Sequence, residues 1–221
     1  ITYAALVLFG THKALGQHLA QAEVTFEYRS TEASGPAQDR KEYRQGFFSY
    51  YDDLWKTINL RNDNQHYQDG FFMMDIPTFE ERAVREAVLN AVSHRDYRLA
   101  GNVFVKQYQR RIEITSPGGL PDEITLYNIL NRQMPRNRRI AEIFALCGLV
   151  ERSGQGMHLM YESAVKQSKP LPDFAGTDDY QVRVTLNGIV QQPEFIRFLQ
   201  QIGDETLASF STADWLILDL L

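Results

Sequence analysis

Cysteine is almost absent: the 221 residues include one, Cys147, inside the apolar run from Ile143 to Val150. A single thiol excludes a disulfide framework and a cysteine-built zinc site, and it makes a reducing, cytoplasmic setting the default expectation. Long apolar runs are missing as well. No window approaches the roughly 20 apolar residues that a membrane-spanning helix needs, and Ala4 to Phe9 is too short for the core of a signal peptide. An excess of positive charge is lacking too. The 23 Lys and Arg stand against 28 Asp and Glu, a net charge of -5. That balance argues against a uniformly basic nucleic-acid surface and leaves room only for a local basic patch. There are no internal repeats or low-complexity tracts. No GxxxxGK[ST] phosphate loop occurs either, which excludes a RecA-type helicase motor from these residues.

What is present suits a soluble globular protein: 43% hydrophobic and 12% aromatic residues suffice to bury a substantial core in one large domain. Glu23 to Tyr28 reads as an alternating strand. Ser30 to Asp39 reads as a linker, Arg40 to Arg61 as a helix, Asn62 to Gly70 as a polar loop and Phe71 to Pro77 as a buried strand. Thr78 and Glu81 have the spacing of a capping box opening the next helix. Asn102 to Tyr108 and Arg111 to Thr115 read as a hairpin. Helices are expected over 122–130, 137–149 and 156–166, then a strand over 181–186, and helical structure resumes after Pro193. The run from Trp215 to Leu221 is apolar with nothing evident to pack on, and Ile1 opens in mid-pattern, so both ends read as cuts through a longer protein.

The most informative stretch is Glu86-Ala-Val-Leu-Asn90-Ala-Val-Ser-His94-Arg-Asp-Tyr97. At a turn of about 100° per residue, Glu86, Asn90 and His94 lie roughly 40° apart and share one helix face. Val84, Ala87, Val88, Ala91 and Val92 turn toward the other side. Such a helix presents a base, a metal-binding amide and an imidazole to one ligand, although a solvated face has the same spacing. Two glycine turns accompany it: Ser116-Pro-Gly-Gly-Leu120 after a strand, and Glu151-Arg-Ser-Gly-Gln-Gly-Met157 before a helix. Backbone N–H groups at such turns approach an anion, and a helix N-terminus adds partial positive charge.

The order of helix, first glycine turn and second glycine turn resembles the N, G1 and G2 boxes of the Bergerat-fold (GHKL) ATPases. More closely, REAVLNAVSHRDY, RIEITSPGGLP, PRNRRIAEIF and GLVERSGQGM resemble a family of predicted bacterial transcriptional regulators related in name to RecG, "ATP-dependent DNA helicase related". The resemblance implies an α+β fold, a two-layer α/β sandwich of the GHKL/HATPase type with partial flanking segments. It also implies three parts: the end of an AlbA_2-type domain and link over 1–30, the ATPase-like domain over 31–190, and a linker with the start of a winged helix over 191–221. In that winged helix, Ser211 or Thr212 would cap the first helix.

By the same resemblance, Glu86 polarises the attacking water, and the Asn90 carbonyl helps hold Mg²⁺ on the phosphates of ATP. Gly118 and Gly119 flank the base, while Gly154 and Gly156 face phosphate. The acid that accepts the adenine amino group in this superfamily has no counterpart at Thr115-Ser116-Pro117, where a hydroxyl is the available acceptor, a weaker one than a carboxylate. The second glycine box is short. Asn131-Arg-Gln-Met-Pro-Arg136-Asn137-Arg138-Arg139 is a basic cluster suited to the γ-phosphate, to duplex phosphates, or to structural ion pairs with Asp122, Glu123 and Glu142. His94 either orients a pocket group or caps its helix. Three functions follow as expectations. One is a nucleotide-sensing regulator that contacts DNA through its flanking domains and forms a homodimer. The others are an active Mg²⁺-dependent ATPase working with nucleic acid, and a non-binding scaffold.

Overall fold

The computed structural model describes residues 1–31, 35–69, 72–132, 134–150 and 156–220. Two short helices, α1 (Tyr3–Phe9) and α2 (His12–His18), are each capped by a threonine hydroxyl, Thr2 and Thr11. They lead into β1 (Val24–Tyr28), β2 (Asp39–Tyr43) and α3 (Phe47–Asn59). A separate hairpin, β3 (Asn64–Asp69) and β4 (Phe72–Pro77), precedes α4 (Glu81–His94). Then come β5 (Val103–Gln107), β6 (Arg111–Pro117), α5 (Arg138–Leu146), α6 (Gly156–Lys166) and β7 (Gln181–Asn187). The chain continues through α7 (Pro193–Ile202), α8 (Asp204–Leu207) and α9 (Thr212–Asp219).

Five strands form one mixed sheet in the order β2-β1-β5-β6-β7, with β1 parallel to β5 and the other pairs antiparallel. The sheet and its helices make a mixed α/β fold consistent with the general GHKL-like α+β arrangement. On β6, Ile112, Ile114 and Ser116 alternate inward and are buried, as are Val103 and Val105 on β5. α4 packs across these two strands and carries the core with Val84, Ala87, Val88, Leu89 and Val92, each at most 2% exposed. Full burial of a Val or Leu side chain stabilises by about 1.5–3 kcal/mol, so this stripe anchors the helix on the sheet. β1 falls in the stretch expected to end a preceding domain, and it pairs with β5 inside this sheet.

Several local expectations need correction. Residues 40–43 extend β2 rather than α3, with Arg40 and Lys41 opposite Glu27 and Phe26. The polar loop at 62–70 contains β3, whose partner is β4, so β4 is a hairpin strand and its Met73 is 73% exposed. Thr78 spends its hydroxyl on the Asp63 carbonyl (2.8 Å), and Glu80 caps α4 instead, accepting from the Ala83 N–H at 2.6 Å. No helix forms over 122–130, where Asn128 accepts from the Thr125 N–H and donates to the Glu123 carbonyl. Side-chain bonds of that kind compete with the helical ladder. The apolar C-terminal run is partnered in part, through Trp215 and Leu218, while Ile217 and Leu220 stay exposed. Ser211 caps α9 in a complete capping box, and Trp215, 1% exposed, packs with Val165 of α6 and Leu199 of α7. No helix among the described residues is long and apolar enough to cross a membrane.

Candidate functional site

α4, β6, β7, α5 and α6 line an open cavity of about 920 Å³. Its polar wall comes mainly from one face of α4, where Glu86, Asn90, Ser93 and His94 line it together with Ser116 of β6. The apolar wall includes Ile114, Phe144, Met160, Phe174 and Val184. The helical spacing of Glu86, Asn90 and His94 therefore does bring the three side chains to one cavity.

Glu86 is buried at 7% exposure, and its Oε1 accepts from Asn90 Nδ2 at 3.1 Å. That bond leaves the Asn90 Oδ1 for another donor or a cation. The opposite wall makes room for the carboxylate by having no side chain: a Cβ built on Gly156 would overlap Oε1 and Cδ of Glu86. Gly156 is thus a glycine because Glu86 occupies its side-chain space. Gly154 lies outside the described residues.

Ser116 is buried, and its hydroxyl donates to the Ala91 carbonyl of α4 at 2.7 Å. Its proton is committed, so toward the cavity this oxygen acts as an acceptor. Thr115 alternates to the other side of β6 and is not on the cavity wall. Gly118 and Gly119 follow on the wall. Gly118 has φ +100°, a conformation that side chains rarely adopt, and a Cβ there would stand 2.7 Å from the Asp96 Cβ.

His94 is half-buried on the wall. Burial, followed by the nearby Arg136 charge, lowers its pKa below the ordinary histidine value, so it faces the cavity as a neutral imidazole at pH 7. Arg136 and Asn137 are not on the wall. Arg136 donates to Asp96 and to the Gly119 carbonyl, and Asn137 donates to the Ser93 and Arg95 carbonyls at the end of α4. Among the described residues, the arginines that do reach the cavity are Arg132 and Arg138, each in an exposed ion pair, with Glu123 and Glu142 respectively. Sequence reasoning passed over Ser93, although it shares the α4 face, which was a usable signal; of the arginines in the basic cluster over 131–139 it is Arg132 and Arg138 that reach the cavity. Among the described residues, no group of three or more His, Cys, Asp or Glu side chains is placed to hold a metal ion.

Residues 101–186, from two residues before β5 through most of β7, match a family model described as "Putative ATP-dependent DNA helicase recG C-terminal" (HATPase_c_4). No curated protein matches the chain. Among solved structures, the chain is similar to the DIP2311 protein of Corynebacterium diphtheriae, with a TM-score of 0.71 and 26% sequence identity. The alignment covers 80% of this chain and 37% of that one, so the chain spans little more than a third of its structural relative. The family match begins after α4, so Glu86 and Asn90 lie outside it. The chain contains part of a GHKL-like domain distantly related to the RecG C-terminal region.

Proposed function

We propose that the cavity binds ATP with Mg²⁺ and that the protein is a Mg²⁺-dependent ATPase module of the GHKL type. The observation that carries this reading is the convergence of Glu86, Asn90, Ser116 and the Gly118–Gly119 turn on one cavity whose remaining lining is mostly apolar. Its volume lies in the range of about 300–1,000 Å³ usual for ligand sites, and apolar walls with a few placed polar groups suit a nucleobase. The acceptor-only oxygen of Ser116 is matched to an exocyclic amine, although it is weaker than a carboxylate would be.

Magnesium fits the donors present. This ion keeps its waters and phosphate oxygens and needs only one or two protein oxygens, so Asn90 Oδ1 suffices without a protein cage, of which there is none among the described residues. When bound, it would neutralise charge on the phosphates. Glu86, held by Asn90, would accept a proton from water or orient it.

Calorimetric titration with ATP, with and without Mg²⁺, tests the reading. Wild type is expected to bind more tightly with Mg²⁺, Asn90→Ala to lose that Mg²⁺ increment, and Glu86→Gln to bind without releasing phosphate. A wild-type protein that binds no nucleotide would remove the proposal. One observation favours a sensor as the second reading: α6 lines the cavity with Gly156, Met157 and Met160, and it also packs on α9, where the start of a DNA-binding winged helix was expected. Binding without turnover would favour that alternative.

A further inference from the structure

Three short stretches far apart in sequence meet at one end of the cavity: His94 to Asp96, Ser116 to Gly119, and Pro135 to Asn137. Arg136 stands at their junction. Its Nη1 donates to Asp96 Oδ2 at 3.1 Å and its Nη2 to the Gly119 carbonyl at 2.6 Å. Asp96 in turn grips the glycine turn, since its N–H donates to the Pro117 carbonyl at 2.8 Å and its Cβ fills the space beside Gly118. Arg98 holds the same carboxylate with its N–H, Nε and Nη2, at 3.0, 3.0 and 2.7 Å. One residue on, the Asn137 amide bonds the Ser93 and Arg95 carbonyls at 2.9 and 2.7 Å, closing the C-terminal end of α4.

We propose that Arg136 is a positioning residue of the nucleotide site, acting with Asp96 and Asn137 as a clasp that fixes the glycine turn, the end of α4 and the start of α5 at one spacing. This rests on the nucleotide reading above for its effect on binding, and on the hydrogen bonds alone for its effect on structure. Arg136 does not touch the ligand. Both terminal nitrogens are engaged by protein, Nε is enclosed by protein, and the side chain is off the cavity wall. A guanidinium spans a carboxylate and a carbonyl with one rigid fork, which a lysine cannot do. α5 starts from this anchor and supplies Ala141, Phe144 and Ala145 to the cavity wall. The clasp therefore sets the shape of the end that receives the base and leaves the phosphates to other groups.

The distinguishing experiment is titration of wild type, Arg136→Ala, Arg136→Lys and Arg139→Ala with ATP, ADP, AMP and adenosine. Arg139 is exposed and off the wall, so its variant is the control. Arg136→Ala is expected to weaken all four ligands by a similar factor, roughly tenfold, the scale on which outer partners tune a site. Arg136→Lys recovers part of the loss, and Arg139→Ala changes nothing. A loss confined to ATP and ADP marks a direct phosphate contact and overturns the clasp, as do unchanged affinities. Hydrogen exchange supplies a readout independent of ligand. The Gly118 and Gly119 amides donate to the Tyr180 and Asp179 carbonyls, and both are expected to exchange faster in Arg136→Ala than in wild type. Unchanged protection overturns the clasp. Wild type failing to bind any of the four ligands refutes the nucleotide reading instead, and exchange then decides the clasp. If Arg136→Ala does not fold, Arg136→Lys carries the same comparisons.

Discussion

Adding a methyl group to Gly156 should act almost entirely through Glu86. A Cβ there would overlap the Glu86 carboxylate and sit 3.1 Å from its Cγ, so the carboxylate must swing away. Displacement breaks the bond from Asn90 Nδ2 (3.1 Å); a hydrogen bond to a charged group contributes about 1.5–3 kcal/mol. Crowding a packed wall adds about 1–3 kcal/mol. Against this, alanine gains up to about 1 kcal/mol over glycine within a helix, and Gly156 opens α6. The net expectation is a destabilisation of about 2 kcal/mol with loss of any phosphate release. A double-mutant cycle isolates the cause. With Glu86 already replaced by alanine the overlap is gone, and Gly156→Ala should be neutral or stabilising by up to about 1 kcal/mol. The interaction energy is then about 2–3 kcal/mol, well above the few tenths found for independent sites. Urea unfolding of wild type, both single variants and the double variant measures it. An equal cost of Gly156→Ala in the two backgrounds would refute the reasoning.

Trp215→Ala empties a site that is 1% exposed and shared with Val165 and Leu199, and it should cost about 3–5 kcal/mol in chemical denaturation; a cost below 1 kcal/mol would mean that α9 is not held on α6. Lys169 is buried, with Nζ donating to the Pro77 and Thr78 carbonyls and to Gln167, and burial lowers its pKa to about 8. The unfolded value is about 10.4, so between the two the unfolded chain binds more protons and stability rises with pH. Wild type should therefore gain stability relative to Lys169→Met from pH 8 to pH 10 in urea titrations, and parallel profiles would contradict the assignment.

The elements legible in the sequence are those whose burial follows polarity. β6 alternates in both respects, and α4 shows its apolar stripe and polar face directly. β1 alternates in polarity but not in burial: Val24 and Phe26 enter the core while Thr25 and Glu27 are covered on the other face, Glu27 by pairs to Arg29 and Arg40. β3 escaped because its buried member is Gln65, whose amide is satisfied by the Gly188 carbonyl and the Val190 N–H, partners more than a hundred residues away. Local pattern cannot report a polar residue whose satisfaction is tertiary.

The same distinction decides the site. Helical periodicity puts Glu86, Asn90 and His94 on one face, but it is their order with the two glycine turns that marks Glu86 and Asn90 as a site, and Ser116 is separated from Thr115 only by the side of β6 that each takes in the structure. The basic cluster was harder, since adjacent arginines are alike in sequence and differ only in what they meet. Arg138 pairs with Glu142 at 83% exposure on the cavity rim, while Arg136, two residues earlier, is drawn inward to Asp96 and Gly119. Exposed pairs of the first kind contribute about 0–1 kcal/mol and can be exchanged for a ligand's oxygens at little cost. The inward contacts cannot be exchanged without freeing the glycine turn. Of these two arginines the one with more protein partners is the one less able to serve a phosphate, so charge near a cavity is evidence for a ligand only after its existing partners have been subtracted.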